Sequence, residues 1–147
     1  LGTDFIWDTH NNNDPQTPNF EALFADLDAL LGLLATTNGP DGAPLSTSTI
    51  VVVTSEMART PRFNAGGGRD HWPVTSMMLI GPGLTGSRQI GAYTDLYAGV
   101  GVDVSGELDV ARPGIPAAAV GATLLALGDI DPESVLQNAE PILGELS

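Results

Sequence analysis

The chain contains no cysteine and no lysine; its five basic residues are all arginine, set against 18 acidic residues for a net charge of −13. Without cysteine there is no disulfide, no thiolate metal site and no cysteine nucleophile within these 147 residues. The acidic excess makes the phosphate term unfavourable toward nucleic acid and anionic membranes, so neither is expected as a partner. No apolar run approaches the roughly 20 residues of a membrane-spanning helix. Histidine and tryptophan are scarce, with two of each, and no internal repeat is visible. What is present is 42% hydrophobic content, spread along a length that suits one compact domain with a core. The first residue is Leu1 rather than Met, with no leader pattern before Phe5-Ile6-Trp7, as expected of a chain that has lost an N-terminal part. The lysine-free acidic balance suits an exported protein, periplasmic or extracellular, and equally a GC-rich coding sequence.

Residues Thr3 to Trp7 read as a short buried strand. Phe20, Leu23, Phe24, Leu27, Leu30, Leu31 and Leu34 then recur at three- and four-residue steps, which predicts a helix over Asn19–Ala35 with one apolar face. Thr17-Pro18 supplies its start and Asn38-Gly39-Pro40 its stop. A Gly/Pro/Ser/Thr segment, 36–48, follows as an exposed loop. The β-branched run Thr49–Thr54 reads as a strand buried on both faces. Strand, helix, strand in this order predicts a parallel crossover and hence an α/β fold. A long loop rich in Gly and Arg, Ser55 to Pro73, precedes a further strand at Thr75–Ile80. Residues 84–113 read as a strand-poor insertion or hairpins, Ala117–Leu127 as a small-residue helix, and Asp131-Pro132-Glu133 as the start of a final short one.

Both histidines and both tryptophans fall in two places: Trp7-Asp8-Thr9-His10, after the first strand, and Asp70-His71-Trp72, in the loop after the β-branched strand. A carboxylate and an imidazole delivered twice to strand ends suit a hard or borderline divalent cation such as zinc, manganese, calcium or magnesium. Ordinary hydrogen-bonded loop residues are the alternative reading of each pair. Glu56, at the end of Thr49–Thr54, faces the same crevice if the strands are neighbours; otherwise it is a solvated strand-end carboxylate. Arg59, Arg62 and Arg69 form a basic island in an acidic chain. Arg59 and Arg69 are candidates to grip an anion, or else to order the loop through ion pairs. Gly66-Gly67-Gly68 permits close backbone approach but lacks the Gly-Lys-Ser/Thr of a phosphate loop. No serine or threonine is marked as an activated nucleophile.

Thr54-Ser55-Glu56-Met57-Ala58-Arg59-Thr60-Pro61, then Gly67-Gly68-Arg69-Asp70-His71-Trp72-Pro73, resembles the signature of an uncharacterised sulfatase-like bacterial family, a domain of unknown function in the alkaline phosphatase and sulfatase superfamily. Trp7 to His10 resembles its upstream Trp-Asp-Thr-His element, and Ala117 to Pro132 its C-terminal helix and turn. The resemblance implies that residues 1–147 form a single partial domain, the C-terminal portion of an alkaline phosphatase-like α/β/α sandwich with a mainly parallel sheet. It implies a metal-dependent hydrolase of phosphate or sulfate esters with one or two metals. Asp8, His10 and His71 would be the ligands, with Glu56 and Asp70 as second choices, and Arg59 or Arg69 would steady the anionic group. Met57 stands where the superfamily has a histidine for a second metal, and a thioether does not bind a hard cation. The nucleophile is expected outside this chain. The N-terminal part of the same polypeptide, or another chain, would then complete the sheet. The alternative is a non-catalytic exported structural or surface-assembly protein that retains the fold.

Overall fold

Helix α1 spans Gln16–Thr36 in the computed structural model, which describes residues 7–84, 86–142 and 144. Pro15 precedes the helix and Pro18 sits in its first turn, where no intrahelical N–H is needed. The Gln16 side chain turns back and donates to Trp7 O at 3.1 Å and to Thr9 Oγ1 at 3.0 Å, tying the segment before the helix to its first turn. At the other end Thr37 N–H still reaches Leu33 O, and the chain then becomes extended before Asn38 and Gly39. The predicted apolar stripe is only partly covered: Leu23, Leu27, Leu30, Leu31 and Leu34 are half-buried, whereas Phe20 and Phe24 are 46% and 50% exposed. Segment 36–48 is tightly hydrogen-bonded, with Asn38 bridged to Pro44, Gly39 N–H on Ala43 O, and a 3-10 turn at Leu45–Thr47.

Two compact units make up the chain, Leu1–Pro82 and Gly83–Ser147. In the first, β1 (Val51–Thr54) pairs antiparallel with β4 (Met77–Ile80), in the register Val51↔Ile80 through Thr54↔Met77. Between them β2 (Ala58–Arg59) pairs antiparallel with β3 (His71–Trp72). In the second, β5 (Ala92–Tyr93), β6 (Gly99–Val102) and β7 (Leu108–Asp109) form an antiparallel sheet in that order. Helix α2 (Ala117–Leu127) follows, then a 3-10 turn at Pro132–Ser134 whose start is capped by the Asp131 carboxylate accepting from Glu133 N–H. Its core holds Val102, Ala122, Ala139 and Ile142. Gly101 lies so close to Gly114 and Arg112 that a side chain on it would collide with backbone.

The α/β sandwich with a mainly parallel sheet is therefore overturned: every pairing among the described strands is antiparallel. The parallel reading needed a first strand at Thr3–Trp7 joined through α1 to Thr49–Thr54. Residues 3–6 lie outside the described residues, and Trp7 is not in a strand. The β-branched run does form a strand, but its partner is the later segment Met77–Ile80, reached by a loop that doubles back. An antiparallel pair needs no helical crossover. Nor is β1 covered on both faces, since its burial alternates between half-buried and exposed.

Candidate functional site

The β2–β3 ladder sets the site. Arg59 and His71 are direct cross-strand partners, so their side chains leave the ladder on one face, while Ala58 and Trp72 leave on the other. The segment Asp8–His10 is bound against this ladder by Arg69 N–H donating to Thr9 O at 3.0 Å. The result is a cluster drawn from three stretches of sequence. The His10 and His71 rings lie 4.6 Å apart, centroid to centroid, at 51°. Asp8 Oδ1 accepts from His10 Nδ1 and, at 2.9 Å, from Arg59 Nη2. Arg59 Nη1 is 3.1 Å from both ring nitrogens of His10 and also donates to Arg69 O at 3.2 Å.

Nδ1 faces the Asp8 carboxylate, while Arg59 Nη1, equidistant from both ring nitrogens, lies over the His10 ring. The hydrogen bond from His10, helped by the positive charge of Arg59, holds the Asp8 carboxyl below the usual carboxylate range, with desolvation opposing it. Arg59 is only 18% exposed at its side chain, whereas Asp8 is 69% exposed.

The other residues singled out in the sequence divide clearly. Asp70 joins the cluster indirectly: its Oδ1 accepts from Asn64 Nδ2 at 2.9 Å, and the same nitrogen donates to His10 O. Glu56 is exposed beyond β1 and, among the described residues, accepts from the neighbouring Ser55 hydroxyl at 3.4 Å. Arg69 is used within its own loop, donating to Thr60 O and Pro61 O and stacking over the Phe63 ring at 4.3 Å. That leaves Arg59 as the arginine within the cluster. Trp72 buries its indole Nε1 with no hydrogen-bond partner. The Gly66–Gly68 loop is not an open anion cradle, because the N–H groups of Gly66 and Gly68 both donate to Asn64 Oδ1. Asn64 was not anticipated, although an Asn two residues before a glycine run is a known turn signal.

The donor types, one carboxylate and two imidazoles, suit a divalent cation. Two imidazoles on one tetrahedral zinc place their ring centres about 5 Å apart, close to the 4.6 Å spacing of His10 and His71. As the side chains stand, no three His, Asp or Glu residues among the described residues converge to hold a metal. Arg59 instead neutralises the Asp8 charge and lies against both ring nitrogens of His10. A cation held by Asp8, His10 and His71 thus requires the guanidinium to withdraw.

In the second unit a cavity of about 340 Å³ lies among β6, α2 and residues 138–142. Of its charged lining, Arg112 is paired with Asp109 and Asp103 with the Ser105 hydroxyl. None of the candidate site residues lines it.

A family model described as "Protein of unknown function (DUF1501)" matches residues 1–139. The chain belongs to that family. The DUF1501 match takes in both histidine segments, the Arg59 strand and α2. No curated protein and no solved structure matches the chain.

Proposed function

We propose that this DUF1501 chain supplies part of a metal-dependent site that hydrolyses phosphate or sulfate esters, in the manner of the sulfatase-like superfamily that its motifs resemble. The observation that carries this reading is the approach of the His10 and His71 rings to 4.6 Å beside the Asp8 carboxylate. Asp8, His10 and His71 would be the ligands. A divalent cation bound there would supply Lewis acidity toward an ester oxygen. Arg59 would orient the anionic group through its paired N–H donors. No hydroxyl among the described residues is hydrogen-bonded to either imidazole, so the nucleophile is assigned to another segment or chain. The same partner would pair the free edges of β1 and β4, which pair only with each other among the described residues.

A second reading, a non-catalytic exported structural protein, is favoured by one observation: Arg59 already neutralises Asp8 and occupies His10. Elemental analysis of the intact protein after zinc or manganese loading, together with turnover of p-nitrophenyl phosphate and p-nitrophenyl sulfate, separates the two. The hydrolase reading expects bound metal and turnover. His10→Ala and His71→Ala should each weaken metal binding beyond the roughly 10–100-fold that loss of an outer partner costs. A wild-type protein that stays metal-free and inert after loading leaves the structural reading. Unchanged metal in either variant removes that ligand.

A further inference from the structure

We propose that Asn64 and Gly68 are positioning residues, a clamp that holds the His10 segment where its ring meets His71. The Asn64 carboxamide is fully used, and its two halves serve different neighbours. Its Nδ2 donates to His10 O at 2.7 Å and to Asp70 Oδ1 at 2.9 Å. Its Oδ1 accepts from Gly66 N–H at 2.9 Å and Gly68 N–H at 3.1 Å. The Asn64 backbone closes the same loop, its N–H on Gly68 O and its carbonyl under Gly67 N–H. Gly68 is buried directly under the Thr9–His10 backbone: a Cβ there would fall inside van der Waals contact of the His10 carbonyl and of Thr9 O. The obstacle is backbone on both sides, so neither partner can swing away. One residue therefore pulls the His10 carbonyl in, and the other leaves room for it to arrive.

Three features make this positioning rather than general support. The clamp holds the main chain of His10, next to the side chain that meets His71. It is separate from the β2–β3 pairing, which is made by Ala58, Arg59, His71 and Trp72. The same Asn64 nitrogen also fixes Asp70, the residue before His71, so both histidine segments are bound to one atom. The inference gives the proposed site its positioning residues and takes its functional meaning from that reading, but the decisive test needs no metal.

Asn64→Asp separates the two halves of the side chain. It keeps the acceptor for Gly66 and Gly68 N–H, while a carboxylate oxygen replaces the donor facing His10 O and the Asp70 carboxylate. Gly68→Ala tests the close approach independently. The chain has only two histidines, so histidine-selective isotope labelling of the intact protein resolves both rings. In metal-free wild-type protein, nuclear Overhauser contacts between the two rings are expected. Both variants should lose them while keeping the cross-strand contacts of Arg59 with His71. Their zinc affinity should fall by about 10–100-fold, the usual effect of losing an outer partner. Inter-ring contacts that persist in both variants overturn the clamp, as does their loss together with the Arg59–His71 strand contacts. If the ring contacts respond as expected in a protein that binds no zinc, the clamp stands and the hydrolase reading alone fails.

Discussion

In Leu1–Pro82 the buried residues among those described are Thr9, Asn19 and Gly68, whereas in Gly83–Ser147 they are Gly101, Val102, Ala122, Thr123, Ala139 and Ile142. The first unit puts polar groups and a glycine at its centre, while exposed apolar side chains occur in both units, Phe20 and Phe24 in the first and Leu96 and Val110 in the second. The second encloses a small apolar core. Both units also carry long-range hydrogen bonds. Arg59 and Asn64 bridge from the loop after β1 to Asp8 and His10, about fifty residues earlier in sequence. The second unit adds to its apolar core the bonds of Arg88 Nη2 to Gly144 O, Gly144 N–H to Val104 O and Ile142 N–H to the buried Thr123 Oγ1. Hydrogen bonds are directional and apolar contact is not. The first unit holds the Asp8 and His10 side chains through such directional bonds.

The comparison can be broken at its strongest point first. Ile142 is 6% exposed, and Ile142→Ala is expected to destabilise Gly83–Ser147 by about 2–5 kcal/mol. Urea unfolding should register the loss while the His10–His71 ring contact survives in the folded baseline. Loss of that contact under native conditions would show that the two units do not depend on different forces. Next in size is Thr123→Val, which keeps the shape but removes the acceptor of the buried Ile142 N–H at 3.0 Å. An unpaired buried amide costs about 1–3 kcal/mol. Thr123→Ser, which retains the hydroxyl, should cost less than Thr123→Val in the same titration; equal losses would assign the effect to packing.

The smallest effect concerns acid. Asp8 is held below the ordinary carboxylate pKa chiefly by the His10 hydrogen bond. A depressed folded-state pKa means that its stabilising contribution is whole above the unfolded value of about 3.9 and disappears as pH falls through the lower folded-state value. As pH falls below the ordinary carboxylate range, the His10 ring should therefore loosen from Asp8. Amide protection in α2 should persist, because its core residues do not titrate. Protection lost from α2 before the histidine contact would reverse the comparison.

Helices α1 and α2 were legible because each carries its own local signal: leucines at helical spacing after Pro18, and small apolar residues between Pro116 and Gly128. Strand existence was legible for Val51–Thr54 and Met77–Ile80, but strand direction was not. A β-branched run specifies an extended conformation and says nothing of its partner, and pairing is decided by the returning loop. The site was legible to a similar depth. Two scarce Asp/His pairs marked the positions that meet, and Arg59 lay within the basic island. That Arg59 would lie between Asp8 and His10, while Arg69 turned into its own loop, depended on the β2–β3 register. A one-residue slip would have exchanged the Arg59 and Ala58 faces. Asn64 left only a turn signal, because its function lies in which backbone groups the fold brings within its reach.

The indole of Trp72 has a practical consequence. Both tryptophans, Trp7 and Trp72, belong to Leu1–Pro82, and both tyrosines, Tyr93 and Tyr97, belong to Gly83–Ser147. Each unit therefore carries its own chromophore. Trp7 is partly exposed and meets Phe20 edge-on, while Trp72 keeps a buried, unpaired N–H on the strand that bears His71. Red-edge excitation selects the indoles, so tryptophan emission follows the histidine-bearing unit and tyrosine absorbance follows the other. The chain comes with two built-in optical labels, one for each way of holding itself together.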